Sequence, residues 1–192
     1  MFSSIRKRLL FGVGLAVLCA GSTAANASAL TLGAVAPPNL GGCGSCDAFQ
    51  LTVGAGAPRY RVPAGPTGLW TITSWSSQGG GIADGKARLR VYRRTQTAGQ
   101  FELIKQSHLG LVPAAGSPDF ATDIKVKKGD LLGIGTQDNV PSGYSTGVTG
   151  GNVKAVGCDP TGPGQLVGNG TSCPLSDFPG EQINVSATLT PR

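Results

Sequence analysis

The sequence predicts an all-β chain folded as a two-sheet β-sandwich, jelly-roll-like, with about nine strands. Three observations carry that expectation. The 192 residues include 31 Gly and 13 Pro, roughly twice the usual share of ~12% for the pair, so the backbone turns often. Only 14% of residues are charged while 40% are hydrophobic, which excludes a coiled coil and a charge-driven disordered chain yet still supplies a core. Past the amino-terminal segment, no window of about eleven residues sustains a helical period, whereas short period-two alternations recur between Gly and Pro clusters.

Residues 1–29 read as a signal peptide. Arg6, Lys7 and Arg8 form a basic start, and Leu9 to Gly21 is an apolar stretch too short to span a ~30 Å hydrocarbon core as a helix. Ala25-Asn26-Ala27 and Ala27-Ser28-Ala29 offer small-x-small cleavage sites. The mature chain is expected to start at Ser28 or Leu30 and to lie outside the cytoplasmic membrane, secreted or at the cell surface. Leu18 precedes Cys19 where lipidation needs a small residue, which argues against a lipid anchor. No second apolar run long enough to span a membrane follows. Losing the three basic residues lowers the formal charge from +6 to roughly +3, which is no nucleic-acid footprint.

Residues 30–47 are rich in Gly, Pro and Ala and read as an arm. A single domain over 48–192 then follows. Phe49–Val53 and Arg59–Val62 alternate briefly. Leu69–Ser76 is stronger, with Trp70 and Ile72 assigned to one face and Thr71, Thr73 and Trp75 to the other. Ala87–Arg94 has the clearest two faces: Ala87, Leu89 and Val91 against Arg88, Arg90, Tyr92 and Arg94. Phe101–Gln106, Phe120–Val126, Leu131–Thr136, a weak Asn152–Val156 and Ile183–Leu189 complete the series. Lys128-Gly129-Asp130 supplies a tight turn. The stretch 137–179 reads as a long irregular loop region, the kind that in a compact domain forms a binding surface or an excursion. No repeat of 20–50 residues marks a propeller or solenoid.

Cys43, Cys46, Cys158 and Cys173 remain after processing, and an even count in an exported chain reads first as two disulfides. Three connectivities are open; Cys43–Cys46 and Cys158–Cys173 fit best, each pair lying within its own Gly- or Pro-rich loop. Two other readings compete. Cys43-Gly44-Ser45-Cys46 has thiol-oxidoreductase spacing, but such sites need a helix N-terminus after the motif. A zinc ribbon wants a second C-x-x-C, and Cys158 and Cys173 are too far apart for one.

The order of Tyr60-Arg61-Val62-Pro63-Ala64, Ile72-Thr73-Ser74-Trp75, Leu89-Arg90-Val91-Tyr92-Arg93, Ile124 to Gly133 and Ile183-Asn184-Val185-Ser186-Ala187 resembles an uncharacterised group of exported proteins from high-GC Gram-positive bacteria. The likeness covers roughly Gln50 to Leu189. It implies a β-sandwich and no established activity.

Catalytic chemistry is poorly supplied. The one His, His108, adjoins Ser107, and neighbours on a strand point to opposite faces; no G-x-S-x-G elbow is present. One His and no free thiol leave no metal site or cofactor to expect, and no Asp-rich loop has calcium spacing. Glu102 with an Asp is the remaining route, a secreted carboxylate-dependent glycoside hydrolase. Trp70, Trp75, Tyr60, Tyr92 and Tyr144 are candidates for stacking on sugar. The reading preferred is a non-catalytic exported sandwich that binds envelope polysaccharide or another surface molecule. Its candidate ligand residues are Arg88, Arg90, Tyr92 and Arg94, a row suited to an anionic cell-envelope polymer through the planar guanidinium fork.

Overall fold

The computed structural model describes residues 28–35, 45–79, 83–137 and 144–192; the signal-peptide reading, Cys43 and half of the predicted arm lie outside them. No helix occurs among the described residues. The strands are β1 (Leu30–Ala34), β2 (Asp47–Thr52), β3 (Leu69–Ser77), β4 (Gly85–Arg94), β5 (Gln100–Gln106), β6 (Gly110–Val112) and β7 (Asp119–Lys127). They continue with β8 (Leu131–Gln137), β9 (Tyr144–Thr146), β10 (Asn152–Val156), β11 (Leu166–Gly168), β12 (Leu175–Pro179), β13 (Glu181–Ile183) and β14 (Val185–Pro191).

Eight of these strands form the frame. One sheet has the order β1-β14-β3-β7, and the middle of the other runs β5-β4-β8-β2. Every pair is antiparallel, and the pairs β4–β5, β3–β7, β2–β8 and β1–β14 nest inside one another. A long hairpin rolled so that its arms alternate between two sheets gives this order, which is the jelly roll the sequence suggests. The remaining strands are additions: β10 and β12 extend the second sheet beyond β2, β11 extends it beyond β5, β6 pairs with β4, and β9 with β13 makes a separate ribbon.

Two elements differ from the sequence reading. The arm contributes β1, whose Leu32 is fully buried against the last strand. The region 137–179 holds, besides the expected strand β10 at Asn152–Val156, the strands β9, β11 and β12, each of three to five residues and separated by Gly and Pro. Segments that short carry too few alternations for a period to register.

The main core lies between the sheets, where Leu32, Ile72, Trp75, Leu89, Leu132 and Leu189 are among the buried side chains. A second, smaller core covers the outer face of the larger sheet, around Phe49, Tyr92, Phe101, Leu103, Leu131 and Val167. The chain from Gly157 to Pro174 crosses this face and is stapled by the Cys158–Cys173 disulfide, with Cα atoms 5.2 Å apart. A loop of this length closed covalently is worth about 3 kcal/mol through lost chain entropy in the unfolded state.

The assignment of Trp70 and Trp75 to opposite faces of β3 is corrected. Against β14, Ser74 pairs with Thr188 and Ile72 with the next residue, Leu189, so Thr73 is an extra residue on β3, a β-bulge. One extra residue inverts the parity of the positions after it. Trp70, Ile72 and Trp75 therefore all point into the main core, and Trp75 stacks on Phe120 with ring centroids 4.5 Å apart.

Candidate functional site

Alternation along β4 holds as expected: Ala87, Leu89 and Val91 enter the main core, and Arg88, Arg90, Tyr92 and Arg94 share the opposite face. That face is not an open row. Arg90 is 1% exposed and Tyr92 0%, because the stapled loop and the second core cover them. Arg88 is half-buried, and Arg94 lies exposed with its guanidinium carbon 5.5 Å from the centre of the Phe101 ring. Glu102 sits opposite Arg93 on the neighbouring strand and not beside the row.

The neighbouring strand makes room for these side chains. Gly133 and Gly135 of β8 face them, and a Cβ on Gly133 would stand 2.9 Å from the Tyr92 ring. On Gly135 a Cβ would stand 2.5 Å from Asp47 Oδ1 and 2.8 Å from Arg90 Nε. The two glycines thus leave room for Tyr92, whose ring packs tilted against Phe49 with centroids 4.6 Å apart, and for the Arg90 guanidinium.

Arg90 is the centre of a buried ion cluster. Its Nη1 contacts Asp47 Oδ1, and its Nη2 donates to Asp159 Oδ1 at 2.8 Å and to the Pro160 carbonyl at 3.0 Å. Burial pushes the Asp47 carboxyl up to about 7, against the pull of Arg90. Asp159, mostly exposed, is held below the usual carboxylate range by its hydrogen bond to Arg90. A polar cavity of about 690 Å³ opens beside the cluster, lined by Asp47, Thr136, Gln137, Cys158 and Asp159 among others. Asymmetric carboxylates in a cavity are what an acid–base pair looks like. Here each already gives an oxygen to the same guanidinium, and Asp47 is only 4% exposed, so the pair serves as an anchor for the loop carrying Asp159.

The other catalytic candidates are also accounted for. His108 is exposed, and the neighbouring Ser107 hydroxyl donates to the His108 carbonyl at 2.9 Å and accepts from Leu89 N. No group of three or more metal-ligating side chains occurs among the described residues. Cys46 is disulfide-bonded and leads directly into β2, so no helix follows the C-x-x-C. Cys158 and Cys173 are bonded to each other, which removes the zinc reading. As sugar platforms, Trp70, Trp75, Tyr60 and Tyr92 are corrected: all four rings are buried. The Tyr144 side chain lies outside the described ones.

An open groove of about 500 Å³ lies elsewhere, where β2 leaves β8. β2 pairs with β8 only up to Phe49–Gly133, after which the segment Arg59–Val62 takes its place along β8. Leu132 N donates to Tyr60 O at 2.9 Å, and Val62 N donates to Asp130 O at 2.8 Å. The splayed end of β2 and the inserted segment form the two walls. Along the extended segment Tyr60 and Val62 point inward and are buried, while Arg59 and Arg61 are exposed. Residues two apart on a strand stand about 6.5–7 Å from one another, so these guanidinium groups form a pair on the rim.

The third cation arrives from the β7–β8 turn. Gly129 has φ +93°, which a glycine adopts without strain, and its N–H donates to Val62 O at 2.9 Å. That bond brings Lys128 to the groove. Asp130 is fully buried behind the turn, accepting from Arg93 Nε at 2.7 Å and Lys127 N at 2.9 Å. Leu51, Val53 and Pro63, all half-buried, give the groove a mostly carbon wall, and among the described residues no carboxylate lines it. None of Arg59, Arg61 and Lys128 has an ion-pair partner among the described residues.

Sequence reasoning misses this groove although its parts are visible. Tyr60-Arg61-Val62-Pro63 and Lys128-Gly129-Asp130 both stand out as motifs. Their juxtaposition depends on where β2 parts from β8, a fact of pairing with no local signal.

Fold and site together define an all-β jelly-roll sandwich with one face closed by a disulfide-stapled loop and a cation-rimmed groove at the end of β2. Comparison with family models, curated proteins and solved structures finds no match. No helix among the described residues is long and apolar enough to cross a membrane.

Proposed function

We propose that this protein is an exported, non-catalytic binding module that holds an anionic molecule of the cell envelope in the groove between β2 and residues 59–63. The observation that carries this reading is the rim: Arg59, Arg61 and Lys128 converge on a cavity that no carboxylate among the described residues lines. Exposed arginines without an ion-pair partner among the described residues present their forks for phosphate or carboxylate, and ~500 Å³ falls within the ordinary range for ligand sites. The disulfide at Cys158–Cys173 suits an oxidising compartment, which supports the export reading.

Adsorption to isolated cell envelopes tests the proposal. Replacing Arg59, Arg61 and Lys128 together by Gln is expected to weaken adsorption about tenfold or more, a little over 1 kcal/mol, and to flatten its salt dependence. The same adsorption by the triple variant at every salt concentration would refute the groove as the binding surface.

A further inference from the structure

We infer that the groove takes a phosphate-headed hydrocarbon chain, with the acyl or alkyl segment against Leu51, Val53 and Pro63 and the phosphate on Arg59, Arg61 and Lys128. This rests on the binding reading above and names the chemistry of its ligand.

The floor decides against a bare sugar. A saccharide site needs side-chain donors and acceptors aimed at hydroxyl groups, usually with an exposed aromatic face. The polar atoms under this groove are already engaged by the protein. Tyr60 donates its hydroxyl to Ile183 O at 2.8 Å and accepts from Gln182 Nε2 at 2.8 Å and Ala34 N at 3.2 Å. Gln50 is 1% exposed; its Nε2 donates to the carbonyls of Thr52, Asn152 and Glu181, and its Oε1 accepts from Ile183 N. What these two residues leave to the groove is carbon. Leu51, Val53 and Pro63 add half-buried apolar walls, and covering such surface with hydrocarbon is favourable at about 25 cal/mol per Å².

The rim decides the head. Among the described residues, three cations and no acid line the groove. A phosphate monoester carries about −1.5 to −2 charges near pH 7 and three acceptor oxygens, so it engages two guanidinium forks and an ammonium together. A single carboxylate offers two oxygens and one charge, and leaves part of the rim unanswered.

The test is calorimetric titration of the oxidised mature protein with n-dodecyl phosphate below its micelle concentration. Inorganic phosphate, dodecanoate and dodecyl maltoside are titrated in parallel. Saturable one-to-one binding of dodecyl phosphate is expected, at least about tenfold tighter than each of the other three. It should be lost both in the Arg59→Gln/Arg61→Gln/Lys128→Gln variant and in Leu51→Gln. Thermal melting of each variant verifies folding, and Val53→Ala serves if Leu51→Gln does not fold. Equal affinity for dodecanoate would overturn the phosphate head, and equal affinity for dodecyl maltoside the role of the cations. Groove-dependent adsorption to envelopes without dodecyl phosphate binding would overturn this inference and leave the binding module standing. Failure of both measurements would remove both.

Discussion

Arg90 shows how one side chain ties a loop to a sheet. Its guanidinium is buried between Asp47 on β2 and Asp159 beside the Cys158–Cys173 bridge. Removing one partner of a buried pair costs about 3–5 kcal/mol, because the other charge is left without compensation. Arg90→Met is therefore expected to lose that much in urea unfolding at pH 8. It should lose less at pH 5, where the orphaned Asp47 takes a proton. Equal losses at the two pH values would contradict the coupling. Asp47 itself has a defined sign. Its folded value, about 7, lies above its unfolded one, so its contribution is fully present below about pH 4 and is lost as pH rises through 7. Asp159 runs the other way: held low, it contributes above its unfolded value and loses that contribution as pH falls through the folded one. Asp47→Asn should accordingly gain stability relative to the natural chain between pH 5 and pH 8. A constant difference across that range would mean that Asp47 keeps one charge state throughout. The room that Gly135 leaves for Arg90 gives a further residue-scale test. Gly135→Ala places a methyl 2.5 Å from Asp47 Oδ1, and overpacking of this kind costs about 1–3 kcal/mol; an unchanged melting temperature would show that the cluster can shift aside.

At the scale of elements, legibility depends on how far a strand keeps one parity. β4 runs ten residues with its inner face in phase, so its two faces are readable from Ala87 to Arg94. What alternation cannot show is what lies over a face: the covering loop comes from residues 157–174, more than sixty positions on. Bulges defeat the reading in a different way. The irregularity at Thr73 turns Trp75 inward. A bulge adds one residue without a dependable side-chain signature. The stapled loop is an element with its own test. Cys158→Ser/Cys173→Ser is expected to cost about 3 kcal/mol and to expose Tyr92 and Phe101, read as a rise in binding of a hydrophobic dye. Full stability without dye binding would assign the loop's position to the Arg90 cluster alone.

For the molecule as a whole, the nested pairing means that the first described strand closes the sandwich against the last. β1 runs beside β14 from Leu30–Leu189 to Ala34–Val185, and Gly33 N donates to Arg59 O at 2.6 Å. Ala34 N also reaches the Tyr60 hydroxyl, so the same strand braces the floor of the groove. Leu32 is fully buried in the main core, although it lies only two or four residues past the predicted starts at Leu30 and Ser28. Truncating a fully buried Leu to Ala costs about 2–5 kcal/mol, so Leu32→Ala should unfold at distinctly lower urea with an unchanged transition slope. Starting the chain at Val35 goes further: it removes the strand and leaves the edge of β14 unpaired, a template for another chain. That truncated protein is expected to elute as dimers or larger species, to melt lower, and to weaken groove binding with the loss of the hydrogen bond from Ala34 N to the Tyr60 hydroxyl. A monomer of unaltered stability and affinity would show that β1 is an ornament of the sandwich and that β14 closes it unaided.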